Sequence, residues 1–260
     1  MSNIFLWQVN CNSNEKLSMK KLILSLSIAT TFILSSCETL NQYAGVLNQT
    51  VGMPTQVEMG LGLKQALEFG TNYSADRLGT RDGFLGNLAI KILFPEEARR
   101  VENTLRSIGL NSLCDNLITS LNRAAEDAAI EAKPIFVDAI KQMSFQDVTN
   151  ILLVQEDAAT LYFKRTTSLA LADKFSPIVN NSLSKVGATK YWLDVANSYN
   201  RIPLVKPIQT DLTTYVTSKA IDGLFLEIAK EELKIRQNIS ARSTGLLQKV
   251  FGYADRQKAG

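Results

Sequence analysis

The chain has 260 residues, with 28 Lys or Arg, 25 Asp or Glu, no histidine and three cysteines. The lack of histidine removes the commonest zinc ligand and the imidazole base on which most nucleophilic sites depend. The formal net charge of +3 comes largely from the start of the chain: residues 1–36 hold Lys16, Lys20, Lys21 and Glu15, which leaves 25 basic against 24 acidic side chains, or +1, and no electrostatic reason to expect a nucleic-acid partner.

In chain order, the first signal is "MKKLILSLSIATTFILSSC", which runs from Met19 to Cys37. Lys20 and Lys21 lead an apolar stretch from Leu22 to Leu34, and small residues close it, which is the order of a secretory signal. The stretch is shorter than the roughly 18–20 apolar residues that a membrane-spanning helix needs. Leu34-Ser35-Ser36-Cys37 resembles the bacterial lipobox, in which the cysteine is acylated and becomes the new N-terminus. Residues 1–18 then read as an extension upstream of a start at Met19, residues 19–36 as a lipoprotein signal peptide, and residues 37–54 as a polar tether. Glu38 after the lipidated Cys37 resembles outer-membrane sorting. The expected place is therefore the cell envelope, with the protein held in the outer membrane by its N-terminal lipid and facing the periplasm.

The remainder, 55–260, reads as one all-helical domain. Thr55 with Glu58 forms the pattern of a capping box and starts a helix. "TRDGFLGNLAIKILF" has glycines and no helical period, and is expected to be a surface loop with a short extended piece over Ile90–Phe94. Pro95, Glu96 and Glu97 suit a first helical turn and Gly109 suits its end, predicting a helix of about 13 residues between them. Leu113, Leu117, Ile118, Leu121 and Ala125 then recur at the spacing of one buried helical face. Pro134 is expected to break or kink that helix. Ser144 and Asp147 suit a cap and first turn, and two helices are expected on either side of a cap at Ser176 and Pro177. A final long helix starts from Asp211 and carries an apolar stripe of Val216, Ala220, Leu224, Ile228 and Leu233. No alternating strand pattern and no internal repeat interrupts the series. Cys114, inside "LNSLCDNLI", is the one cysteine of this domain; it can form no internal disulfide and is expected to pack as a small buried hydrophobe.

Short motifs with chemical associations carry little weight here. Tyr215 and Lys219 have the Y-x-x-x-K spacing of short-chain dehydrogenases, without the glycine-rich nucleotide turn that such enzymes need. Ser182 and Lys185 match S-x-x-K without its companion elements. Asp127 and Glu131 share a helical face but belong to no calcium loop, so no metal and no cofactor is expected. More informative are polar side chains set among small and apolar neighbours: Asn122, Arg123 and Glu126, then Asp138 and Lys141, Tyr162 and Arg165, and finally Tyr215, Lys219 and Asp222. Burying such groups unpaired costs several kcal/mol. They are expected to converge on a polar groove.

"SLNRAAEDAAIEAKPIFVDAIKQMSFQD", "EDAATLYFKRTT", "YVTSKAIDGLF" and "ARSTGLLQKVFG", in this order over about Gly60–Gly252, resemble the bacterial DUF4197 family. That resemblance implies a secreted or lipid-anchored, all-helical envelope protein and no established activity. Two functions stay open. One is a non-catalytic module that binds an envelope partner or small ligand through the polar groove. The other is a histidine-free, hydrolase-like enzyme using Glu126, Asp138, Tyr215 and Lys219, since carboxylates alone can run glycoside hydrolysis.

Overall fold

The helix starts at Thr55, Ser144 and Asp211 are places where a side chain satisfies backbone donors that a helix start leaves unpaired. The computed structural model describes residues 52–154, 156–200, 207–208 and 211–259. The expected signal peptide, Cys37 and nearly all of the tether lie outside the described residues. Thr55 accepts a hydrogen bond from the Glu58 amide at 3.2 Å and Glu58 accepts one from the Thr55 amide at 2.8 Å, so the capping box that starts α1 (Gln56–Gly79) is complete.

Pro95 leads into a single 3-10 turn, Glu96–Ala98, that runs on into α2 (Arg99–Ser107). Gly109 follows with φ +89°, a left-handed conformation that a glycine adopts without strain. α3 (Asn111–Ala129) and α4 (Ala132–Lys141) are separate helices. Pro134 lies in the first turn of α4, where its missing N–H removes no helical bond. Ser144 and Asp147 form a second capping box at the head of α5 (Phe145–Leu153).

One continuous helix, α6 (Ala158–Lys185), replaces the two expected around Pro177. Pro177 is exposed, so the Asp173 carbonyl that loses its donor is left on the solvent side, while buried Phe175, Val179 and Leu183 hold both halves to the same core. A proline penalty of about 3 kcal/mol is thus offset by packing. α7 (Ala188–Asn200) follows, then α8 (Leu212–Gln237), whose first turn is capped by Asp211 accepting from the Thr214 amide at 3.0 Å. A 3-10 turn, Ile239–Ala241, leads to α9 (Gly245–Ala259).

The all-α expectation holds: the described residues contain no strand, and residues 54–260 form one compact unit. Its centre is the pair α6 and α8, against which α3 and α1 pack, with α4 and α9 on α1. Phe136 of α4 meets Phe163 of α6 and Phe225 of α8 edge to face, with ring centroids 5.1 and 6.3 Å apart. Among the described residues no helix is long and apolar enough to cross a membrane.

Two expectations about burial need correction. The segment 80–95 is irregular, as expected, but it is no surface loop: Phe84, Ile90, Ile92 and Phe94 are all buried. α8 admits it because Gly223 has no side chain, and a Cβ there would stand 2.7 Å from the Phe84 ring and 3.3 Å from Ile90. The apolar stripes also run differently. Leu113 is 47% exposed and Leu233 40% exposed. The buried lines advance in steps of four, through Cys114, Ile118, Asn122 and Glu126 on α3 and through Val216, Ala220, Leu224, Ile228, Glu232 and Arg236 on α8.

Candidate functional site

Polar side chains on those buried lines need partners, and the irregular segment supplies them. Asn122 is fully buried; its amide nitrogen donates to the Ile92 carbonyl at 2.8 Å and its oxygen accepts from the Ile92 amide at 2.8 Å. The side chain thus pairs with Ile92 as a neighbouring strand would. Four residues on, the buried Glu126 carboxylate accepts from the Phe84 and Leu85 amides at 3.1 and 3.2 Å and from Arg123 at 2.5 Å. Arg123 also reaches Asp82 at 2.6 Å, a residue held at φ +68°. Asn122, Arg123 and Glu126 are therefore the clamp that makes 82–92 a fixed part of the core.

The other positions fall elsewhere, so the single groove expected from the sequence is not formed. Tyr162 donates to the Ala139 carbonyl at 3.0 Å, and burial pushes its phenol above the ordinary range. Arg165 lies over the Tyr162 ring and 3.7 Å from Asp147. Asp138 and Lys141 form an exposed pair at 3.4 Å. These four line neither the clamp nor a cleft with the last three. Helical spacing correctly put each set on one face, but which faces meet depends on how the helices pack.

Tyr215, Lys219 and Asp222 do open onto a cleft. Its floor and one wall are the clamped segment from Ala89 to Glu97, the other wall is the first half of α8, and its volume is about 650 Å³. The Tyr215 hydroxyl donates to the Leu93 carbonyl at 3.0 Å and the Lys219 ammonium stands 6.0 Å from the Tyr215 ring centroid. Glu96 is bound to Arg99 at 2.6 Å. Lys91, Glu97, Lys219 and Asp222, by contrast, line the cleft with no ion-pair partner among the described residues. Thr214, Ser218 and Asp222 also border a second depression of about 650 Å³, lined by Ser168, Asp173 and Ser176. The cleft therefore continues into a hydroxyl-rich trough.

The chemistry available there differs from what the spacings suggest. In a Y-x-x-x-K enzyme the lysine lowers the tyrosine pKa; here burial, then Glu96 and Glu97, push Tyr215 up to about 12. Glu126 is consumed by the clamp and Asp138 lies outside the cleft, so the four groups of the hydrolase-like alternative do not assemble. Ser182 donates to Asp127 at 2.5 Å and Glu131 pairs with Lys174 at 3.3 Å, which ties both short motifs to contacts of α6 with α3 and with the link between α3 and α4. Among the described residues no group of three or more Cys, Asp or Glu side chains is placed to hold a metal ion.

A buried ionic chain escaped the sequence reading. Glu232 accepts from the Ala159 and Thr160 amides at 3.0 and 2.9 Å and so caps α6 from another helix. Arg236 binds Glu232 at 2.8 Å and donates to the Ile151 carbonyl at 2.6 Å, at the end of α5. Arg242 closes α8 by donating to the carbonyls of Ile235 and Arg236 at 3.0 and 2.7 Å, and holds Asp255 of α9 at 2.7 Å. Glu232, Arg236 and Arg242 each meet a helix end of opposite polarity. The signal was present in the steps of four along α8, which continue past Ile228 to Glu232 and Arg236.

No curated protein and no solved structure is detectably similar to the chain. The model of the DUF4197 family, described as a protein of unknown function, matches residues 53–252, which takes in the clamp, the cleft and the ionic chain as far as Arg242, and the chain belongs to that family.

Proposed function

We propose that the protein is a non-catalytic binding module of the cell envelope, anchored through lipid on Cys37, whose ligand or partner segment lies in the cleft between residues 89–97 and α8. One contrast carries this reading. The buried charges Glu126, Glu227, Glu232, Arg236 and Arg242 all have partners, whereas Lys91, Glu97, Lys219 and Asp222 stand open in one cleft. Two cations, two anions and a run of hydroxyls suit a polar ligand carrying both charges. The hydrolase-like alternative finds no support in the geometry, because its acid–base groups are apart and Tyr215 holds its proton.

The expected anchor and outer-membrane position rest on the pattern from Met19 to Glu38. Replacing Cys37 by Ala should move the protein from the membrane to the soluble fraction, and unchanged partition would refute the anchor. For the cleft, a photo-crosslinking residue at Ser218 in intact cells should give a discrete adduct that Lys219→Ala and Asp222→Ala abolish. Both side chains are exposed, so both variants should melt like the parent. An adduct unaffected by either substitution would refute the cleft as the binding site.

A further inference from the structure

A second cavity, of about 340 Å³, opens between α2, α3 and the start of α7, and its character is the opposite of the cleft's. Leu105, Leu113, Leu117, Phe94 and Trp192 line it, and Asn116 and Ser120 are its few polar side chains. Apolar surface extends past the lip: Leu113 is 47% exposed, Val186 57% and Tyr191 63%. An apolar cavity of about 150 Å³ holds a benzene molecule. By that measure the volume here has room for on the order of a dozen carbon atoms. Lys185 and Lys190, next in sequence to the lip residues Val186 and Tyr191, are exposed and have no ion-pair partner among the described residues. The first turn of α7, from which Ala188 lines the cavity, adds the positive end of a helix to the same lip.

We propose that this cavity binds a free fatty-acid anion, with its single acyl chain among Leu105, Leu117 and Trp192 and its carboxylate at Lys185 and Lys190. The acyl chain needs an apolar volume and the headgroup needs positive charge near it; the cavity supplies the first, and two exposed lysines adjacent in sequence to its lip residues supply the second. Cys114 lines the cavity with a thiol whose ionisation burial disfavours, so it adds apolar surface and no reactivity.

The test uses the full chain and dodecanoate below its micellar concentration, followed by calorimetry and, in a Trp7→Phe background, by the fluorescence of Trp192. Saturable one-to-one binding is expected. Ser120→Trp should fill the cavity and weaken binding by about tenfold or more (about 1.4 kcal/mol per tenfold). Leu113→Asp, at a half-exposed position where the carboxylate can stay in solvent, should do the same should the tryptophan variant fail to fold. Dodecanol should bind the parent less tightly than dodecanoate, and Lys185→Ala with Lys190→Ala should erase that difference. No saturable binding of dodecanoate, or equal binding by folded Ser120→Trp and Leu113→Asp, would overturn the proposal. Binding only to anionic phospholipid vesicles and not to dodecanoate would also overturn it, in favour of a membrane-contact surface.

Discussion

Removing the Glu232 carboxylate should destabilise the fold more than any loss of charge at the cleft. In Glu232→Met the Ala159 and Thr160 amides lose their acceptor, and Arg236, 8% exposed, keeps only backbone carbonyls as partners. Breaking a buried ion pair from one side costs about 3–5 kcal/mol, because the remaining charge is left uncompensated. With a urea m-value of about 2–3 kcal/mol/M for a domain of this size, the midpoint should fall by roughly 1–2.5 M. Arg236→Met should cost less, since Glu232 retains its two amide donors and the Thr160 hydroxyl at 2.8 Å. The double replacement should cost clearly less than the sum of the two, as coupled neighbours do. Equilibrium urea unfolding followed by circular dichroism measures all three. A loss below about 1 kcal/mol for Glu232→Met, or strict additivity, would refute the view that this chain of charges caps three helices from within the core.

Gly223→Ala should lower stability by about 1–3 kcal/mol, since its Cβ overpacks against Phe84 and the clamped segment cannot retreat; thermal melts compare it with Gly60→Ala, whose Cβ meets nothing within 4 Å. Pro177→Ala should raise stability by about 1–3 kcal/mol by restoring one helical bond at an exposed site, less the entropy regained by the unfolded chain; an unchanged or lower urea midpoint would contradict the continuous helix. The bond from Lys249, then the Thr55 amide, holds the Glu58 carboxyl at about 2. Because its folded value is depressed, the stabilisation is complete above its ordinary value of 4.5 and is lost as pH falls towards about 2. A carbon-detected NMR titration should find the low midpoint, and Lys249→Met should return it towards the ordinary value.

The helices were legible because their signals are local. Thr55 with Glu58, Ser144 with Asp147, and Asp211 satisfy orphaned amides within one turn, so a few residues determine each start. The all-α class and the family membership followed from the same kind of short-range pattern. Pro177 marks the limit: taken locally it ends a helix, and only the burial of Phe175, Val179 and Leu183 on both sides keeps α6 whole. The candidate site was half legible. Spacings of three and four put Tyr215, Lys219 and Asp222 on one face of α8, and Asn122 with Glu126 on one face of α3. Whether a face meets solvent, a loop or another helix depends on contacts between residues far apart in sequence, such as Ile92 with Asn122 and Ala159 with Glu232. Tertiary packing therefore decided that Glu126 is a clamp, that Asp138 is a surface charge and that the cleft contains only three of the ten polar positions, because a polar side chain takes its role from the partner that reaches it.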